Sequence, residues 1–234
     1  FGTYLILGHV EPDGDCIASQ LLLARLLERR GKRALLFNEG PFDRPEISSF
    51  QPLFRSSLGP ADKEGRSAAV VMDCSTEDRL GALGAAIGEL PLLVIDHHAA
   101  GKPFGELRWV RPEAPSVTYM VQLLAESQGW KLSAEEAELA LFGLCTDTGF
   151  FRHLGPSSAP VFKAAARLVE AGASPQVVFR RIHSGWNLAR VGLLAEALRR
   201  AERIMGGRGL LTYWSLEDIR SSGGSYSRGS DDVY

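Results

Sequence analysis

His9, Asp13 and Asp15 crowd into one turn, "HVEPDGDC", where an apolar run stops and a helical pattern starts. A proline and a glycine keep that turn tight. Three more segments end in side chains of the same kind: Asp73 in "VVMDCS", Asp96, His97 and His98 in "VIDHHAAG", and Asp147 in "GLCTDTGFFRH", with Arg152 and His153 just beyond. Each has an ordinary explanation alone. Asp13 and Asp15 suit a turn and a helix cap, Asp73 and Asp147 suit caps, and loop histidines commonly bind nothing. Together, however, these explanations require four unrelated segments to end in carboxylate or imidazole by coincidence. Hard oxygen donors mixed with imidazole suit Mn2+ or Mg2+ better than a structural zinc, which favours thiolates. Three ligands in one turn are too many for one ion with open positions, but suit two ions about 3.5–4 Å apart that share a carboxylate. On this reading His9 and Asp13 bind one ion, Asp15 the other, Asp73 bridges them, and His97 and Asp147 complete the second.

The elements that must carry these residues read as α/β. Residues 4–10, 33–38, 67–73 and 91–96 are short apolar runs, separated by segments of helical period at 16–30 and 78–88. Such alternation predicts a parallel sheet buried on both faces, and open sheets of this kind bind ligands at the carboxyl ends of their strands, where the acids and histidines fall. From 116 onward the pattern is helical, over 116–128, 133–146, 157–172, 174–183 and 187–205, with Gly31, Gly129 and Gly172 as helix stops. Residues 208–219 read as a strand and the Ser/Gly-rich run behind them as a loop. The expected layout is a catalytic domain over 1–185, a helical linker over 186–206, and the beginning of a smaller α/β domain over 207–234.

Bulk properties narrow the function. With 26 basic and 28 acidic side chains and a net charge of -2, the chain has no electrostatic case for gripping long duplex nucleic acid or an anionic membrane, although a small anionic substrate stays open. No apolar run reaches the roughly 18 residues of a membrane span. Three cysteines, Cys16, Cys74 and Cys145, without CxxC spacing point to a reducing cytoplasm and to packing beneath the ligands rather than to thiol chemistry. Gly81, Gly84 and Gly88 sit inside a helical pattern without a phosphate-loop signature, so they read as core contacts. The basic run at 27–33 reads as a solvated helix end, and His183 and Trp186 as packing residues.

In order and spacing, the four segments resemble the motifs of the DHH phosphoesterase superfamily, whose name comes from the triplet here formed by Asp96, His97 and His98. The resemblance runs from the first residues to about 205. It implies a phosphoesterase with two Mn2+ ions, Mg2+ or Co2+ being alternatives, and a second domain across a cleft. Position by position it implies His9, Asp13 and Asp73 on one metal, and Asp15, Asp73, His97 and Asp147 on the other. His98 then faces the phosphate, Asp96 supports the histidines, and Arg152 is either a bidentate phosphate clamp or a solvated charge. Water between the ions would attack phosphorus in line. The chain looks most like the bifunctional oligoribonuclease and pAp phosphatase branch, which implies short RNA or a nucleotide as substrate. Alternatives are a single-strand DNA exonuclease, a cyclic dinucleotide phosphodiesterase, an inorganic pyrophosphatase, or a nucleotide-binding module without catalysis. A homodimer is allowed for. The glycine-rich Gly-Gly-Gly-His motif of that branch's second domain is missing, so the chain is expected to be a fragment lacking most of that domain.

Overall fold

The structure, a computed structural model, describes residues 1–183 and 188–221. It divides into two units, Phe1–Ile182 and His183–Tyr234. In the first unit, strands β1 (Thr3–Gly8), β2 (Arg33–Phe37), β3 (Ser67–Met72), β4 (Leu92–Asp96) and β5 (Leu107–Val110) form one sheet in the order β2-β1-β3-β4-β5. All of its pairings are parallel. The strands are apolar on both sides because both faces are covered. Ile6, Val70, Met72 and Ile95 join one core cluster, and Leu5, Leu7, Ala69, Val71 and Val94 the other, the two-residue period of a pleated strand.

The first of these cores is filled by helices α1 (Gly14–Glu28), α4 (Val117–Ser127), α5 (Ala134–Asp147), α6 (Ala159–Glu170) and α7 (Pro175–His183). Helix α1 is buried almost all round, which fits a sequence, "CIASQLLLARLL", with little polar face. The second core is closed by the turn Glu77–Leu80 and helix α3 (Ala82–Ile87), through Leu80, Leu83 and Ile87. One more short helix, α2 (Pro45–Ser48), follows β2. Left-handed Gly31, Gly129 and Gly172 lie just beyond the ends of α1, α4 and α6, as their positions predict.

Four expectations need correction. Strand β5 is absent from the sequence reading, because a four-residue edge strand of half-exposed side chains, "LRWV", lacks the apolar run of its neighbours. The helical pattern at 78–88 breaks at Gly81, whose φ is +63°, and the Glu39 carboxylate accepts from the Leu83 N–H at 2.8 Å to start α3 afresh. Gly81 and Gly88 are therefore left-handed turn positions rather than helix-interior core contacts. In the second unit, α8 (Leu188–Arg199) stops well short of 205. Glu202–Ile204 (β6) instead pairs antiparallel with Gly209–Leu211 (β7) around a Met-Gly-Gly turn, so strand pairing overrides the helical pattern over its last residues. The strand predicted for 208–219 likewise ends at Leu211. A capping box takes over, with Ser215 Oγ accepting from Asp218 N and the Asp218 carboxylate from Ser215 N, and α9 (Leu216–Ser221) follows. Trp186 and most of the Ser/Gly-rich run lie outside the described residues.

Candidate metal centre

The site is built where β1, β3 and β4 end. Gly8 closes β1 against α1 so tightly that a Cβ there would come within 2.4 Å of Cys16 Sγ and of Gln20 Oε1. His9 follows, its carbonyl held by Asn38 Nδ2 at 3.1 Å. Asp13 does what an N-cap does: one carboxylate oxygen accepts from Cys16 N at 2.9 Å and starts α1. Its other oxygen is 3.9 Å from His9 Nε2, so the atom that faces His9 is not the one that caps the helix. Asp15 is fully buried and reaches the N-terminus of α4, where its carboxylate accepts from Val117 N, Thr118 N and Thr118 Oγ1 at 2.6, 2.9 and 2.6 Å. A carboxylate offers about four lone-pair sites, and these bonds leave about one for a cation.

Asp73 stands in the middle. It ends β3 with a left-handed φ of 54°, a strained conformation for an aspartate that the Asp73 N–H bond to Ile95 O helps to hold. Its Oδ2 is 3.7 Å from His9 Nε2, while its Oδ1 is 3.5 Å from His97 Nε2 and 3.6 Å from His98 Nδ1. His97 Nε2 in turn lies 3.1 Å from Asp147 at the end of α5. The predicted ligands therefore form a chain: Asp13, His9, Asp73, His97, Asp147, with Asp15 joining His97 and Asp147 within 4.8 Å. Donors around an octahedral ion with 2.1 Å bonds stand roughly 3–4.2 Å apart, so these spacings fit shared cations. Both histidines are aimed alike. His9 Nδ1 is 2.8 Å from Val10 O and His97 Nδ1 is 3.2 Å from Ala114 O, which turns each Nε2 toward the carboxylates.

Two further observations fit this donor set to a metal. Asp73 Oδ1 is buried yet has no hydrogen-bond partner, a costly state for a carboxylate oxygen unless a cation meets it. The charges around it agree. Burial opposes a proton on His9, but Cys16, Asp73 and Asp13 overcome it and push His9 up to about 12; burial likewise opposes His97, but Asp147 and Asp73 push it up to about 11. Burial together with the neighbouring Asp147 and Asp73 charges raises Asp15 well above the carboxylate range. Burial raises Asp147 to about 6 against the pull of His97. Asp73 alone is lowered: His9 and His97 outweigh its burial. An excess of buried negative charge thus draws protons onto neighbouring groups, a charge balance that a divalent cation would equally supply.

A family model described as DHH family, N-terminal domain, matches residues 3–144. The chain belongs to the DHH family. Among curated relatives of this DHH chain, the bifunctional oligoribonuclease and PAP phosphatase NrnA of Bacillus subtilis is 31% identical over 189 residues, covering 78% of this chain and 58% of that protein. The NrnA of Thermus thermophilus is 34% identical over 172 residues, covering 73% and 51%. The DHH chain thus spans a little over half the length of these relatives. An exopolyphosphatase-related protein from Bacteroides fragilis shares the fold, with a TM-score of 0.81 at 22% identity over 98% of this chain and 70% of that one.

The DHH triplet itself is braced by its first residue. Asp96 Oδ1 accepts from the backbone N–H groups of His97 and His98 at 2.8 and 3.2 Å and lies 2.8 Å from His98 Nδ1. That contact raises the His98 pKa, and the half-exposed ring turns its other nitrogen away from Asp96. Arg152 is exposed in the turn after α5, its Nη2 3.4 Å from His153 Nε2. Cys16 Sγ groups with His9 and Asp73, but burial raises its thiol to about 12, and it donates to Gln20 Oε1 at 3.7 Å and accepts from Asn38 Nδ2 at 3.9 Å. Two neighbours escaped the sequence reading. Thr118 holds Asp15, and the signal was present in "PSVTYM", a serine cap with a threonine two residues on. Arg79, whose Nη2 is 3.0 Å from His9 Nδ1, carried no motif at all.

Proposed function

We propose that this DHH chain hydrolyses phosphoester bonds of short oligoribonucleotides, of 3'-phosphoadenosine 5'-phosphate, or of both, using two Mn2+ ions. His9, Asp13 and Asp73 would hold one ion, and Asp15, Asp73, His97 and Asp147 the other, with Mg2+ or Co2+ as substitutes. The observation that carries the reading is Asp73, which sets one carboxylate oxygen toward His9 and the other, buried and unpartnered, toward His97. The substrate class follows the relatives named for those activities. Bound divalent ions lower the pKa of a water and neutralise charge on phosphate oxygens.

The chain's own groups do the rest. Asp96 fixes His98 so that its outward nitrogen can donate to a phosphate oxygen or to the leaving group. Arg152 clamps the phosphate from the turn after Asp147. On this reading residues 1–185 carry the catalysis and the part from 207 onward serves substrate binding, with 186–206 as the linker. The test is turnover with Mn2+ of 3'-phosphoadenosine 5'-phosphate and dinucleotide RNA against cyclic di-AMP and pyrophosphate, with Asp73→Asn alongside. The first two substrates are expected to be preferred and the variant inactive. Near-native turnover by Asp73→Asn removes the bridging role, and preference for pyrophosphate or cyclic di-AMP moves the chain to another branch.

A further inference from the structure

Arg79 sits against the cluster with nothing else to hold. It lies in the turn Glu77–Leu80, which is fixed at its carboxyl end: Leu80 is fully buried under the sheet, and the Arg79 carbonyl accepts from Val10 N at 2.7 Å. Glu77 and Asp78 face solvent, whereas Arg79 is half-buried and turned inward, its Nη2 3.0 Å from His9 Nδ1. Among the described residues no carboxylate stands within ion-pair distance of this guanidinium, even though Asp13 and Asp73 lie across the same imidazole ring.

The contact is chemically contested. His9 Nδ1 has two neighbours, the acceptor Val10 O at 2.8 Å and the donor Arg79 Nη2 at 3.0 Å. One ring nitrogen cannot serve both. The shorter contact goes to the carbonyl, which turns Nε2 toward Asp13 and Asp73 and leaves the guanidinium against a ring edge that offers it no acceptor, in a half-buried place where an unpartnered cation is unfavourable.

We infer that Arg79 is a phosphate-binding residue, whose guanidinium turns from His9 onto the oxygens of the phosphoryl group that the loaded site receives. The inference rests on the phosphohydrolase reading above. A planar fork of donors on a flexible stem, tethered by a fixed backbone, is the chemistry that matches two phosphate oxygens at once. It comes from the turn that follows β3, a different element from the turn after α5 that carries Arg152.

The probe is inorganic phosphate titrated calorimetrically into the Mn2+-loaded chain, with free Mn2+ followed by electron paramagnetic resonance. Arg79→Gln is expected to weaken phosphate binding by about tenfold or more, the worth of a charge-assisted hydrogen bond, and to leave Mn2+ affinity unchanged. Arg79→Lys, which keeps the charge but not the fork, is expected to fall between, and it carries the comparison should Arg79→Gln melt early. Unchanged phosphate affinity in both variants overturns the inference, as does an equal loss of Mn2+ and phosphate affinity, which would mean that Arg79 acts only by positioning His9. Turnover measured on the same samples separates the two readings. Wild-type protein that binds phosphate through Arg79 but hydrolyses nothing removes the hydrolase and keeps the arginine; active protein indifferent to Arg79 does the reverse.

Discussion

Loading the site with Mn2+ at neutral pH is expected to expel at least two protons. In the metal-free protein His9 is held up to about 12 and His97 up to about 11, so both rings carry a full proton from pH 6 to 9. Each must surrender the proton on Nε2, because Nδ1 is turned to a backbone carbonyl, Val10 O in one case and Ala114 O in the other. Asp147, raised to about 6, adds about half a proton at pH 6 and little above pH 7. The sign follows directly: protons are bound in the free site and absent from the loaded one, so affinity rises with pH. With two protons displaced, the product of the two dissociation constants falls about hundredfold per pH unit between pH 7 and 9. The metal-free fold changes over the same window: stabilisation from a raised histidine pKa is fully present below the unfolded value near 6.5 and is lost progressively as pH rises through the folded one, here about 11 to 12, so the free chain weakens while metal affinity grows. Calorimetric titration of Mn2+ in buffers of different ionisation enthalpy counts the protons. Release of one proton or none at pH 7.5, or tighter binding at lower pH, would refute the picture of two imidazoles held charged by a shared carboxylate field.

Other outcomes test the packing beneath that field. Asp147→Asn is expected to stabilise the metal-free chain at pH 8, since a carboxylate raised from 3.8 to about 6 burdens the fold as pH climbs between those values. At about 1.4 kcal/mol per pH unit the burden is at most ~3 kcal/mol, and the lost contact with His97 takes back part, leaving a rise of a few degrees in melting temperature. Mn2+ is expected to raise the wild-type melting temperature by more than the variant's, which keeps His9, Asp13 and Asp73 for one ion; a variant less stable than wild type without metal contradicts the reasoning. Gly143→Ala would set a Cβ 2.4 Å from Thr118 Cγ2 and 2.7 Å from Asp15 Oδ1, forcing α5 off α4. A loss of about 1–3 kcal/mol in urea unfolding is expected from such overpacking, with weaker Mn2+ binding, while Gly155→Ala, which meets nothing within 4 Å, serves as the neutral control.

The parts of this molecule that read clearly from sequence are those in which one residue serves two physical demands that agree. Strands buried on both faces must be apolar, and parallel strands must deliver their carboxyl ends to one edge, so "YLILGH", "AVVMD" and "LLVIDHH" announce both the sheet and the place where polar side chains collect. Asp13 shows why single motifs mislead: the helix-cap explanation holds and does not exclude the ligand one, since one oxygen meets Cys16 N and the other faces His9. What stayed hidden depends on groups brought together only by the fold. Thr118 supports Asp15 from 103 residues away, behind a serine cap that announces a helix start but not the distant partner, and Arg79 meets His9 from 70 residues away with no motif to betray it. Strand β5 is hidden for a different reason, because an edge strand needs only one buried neighbour and so need not be apolar. Electrostatics joins the two kinds of residue. Four carboxylates in one buried cluster are tolerable only when compensated, and without metal the compensation comes from protons on His9, His97, Asp15 and Asp147. An arginine that ion-paired permanently with one of these carboxylates would compete with the cations for it. Arg79 instead rests on the far edge of His9, where it leaves the carboxylate oxygens open.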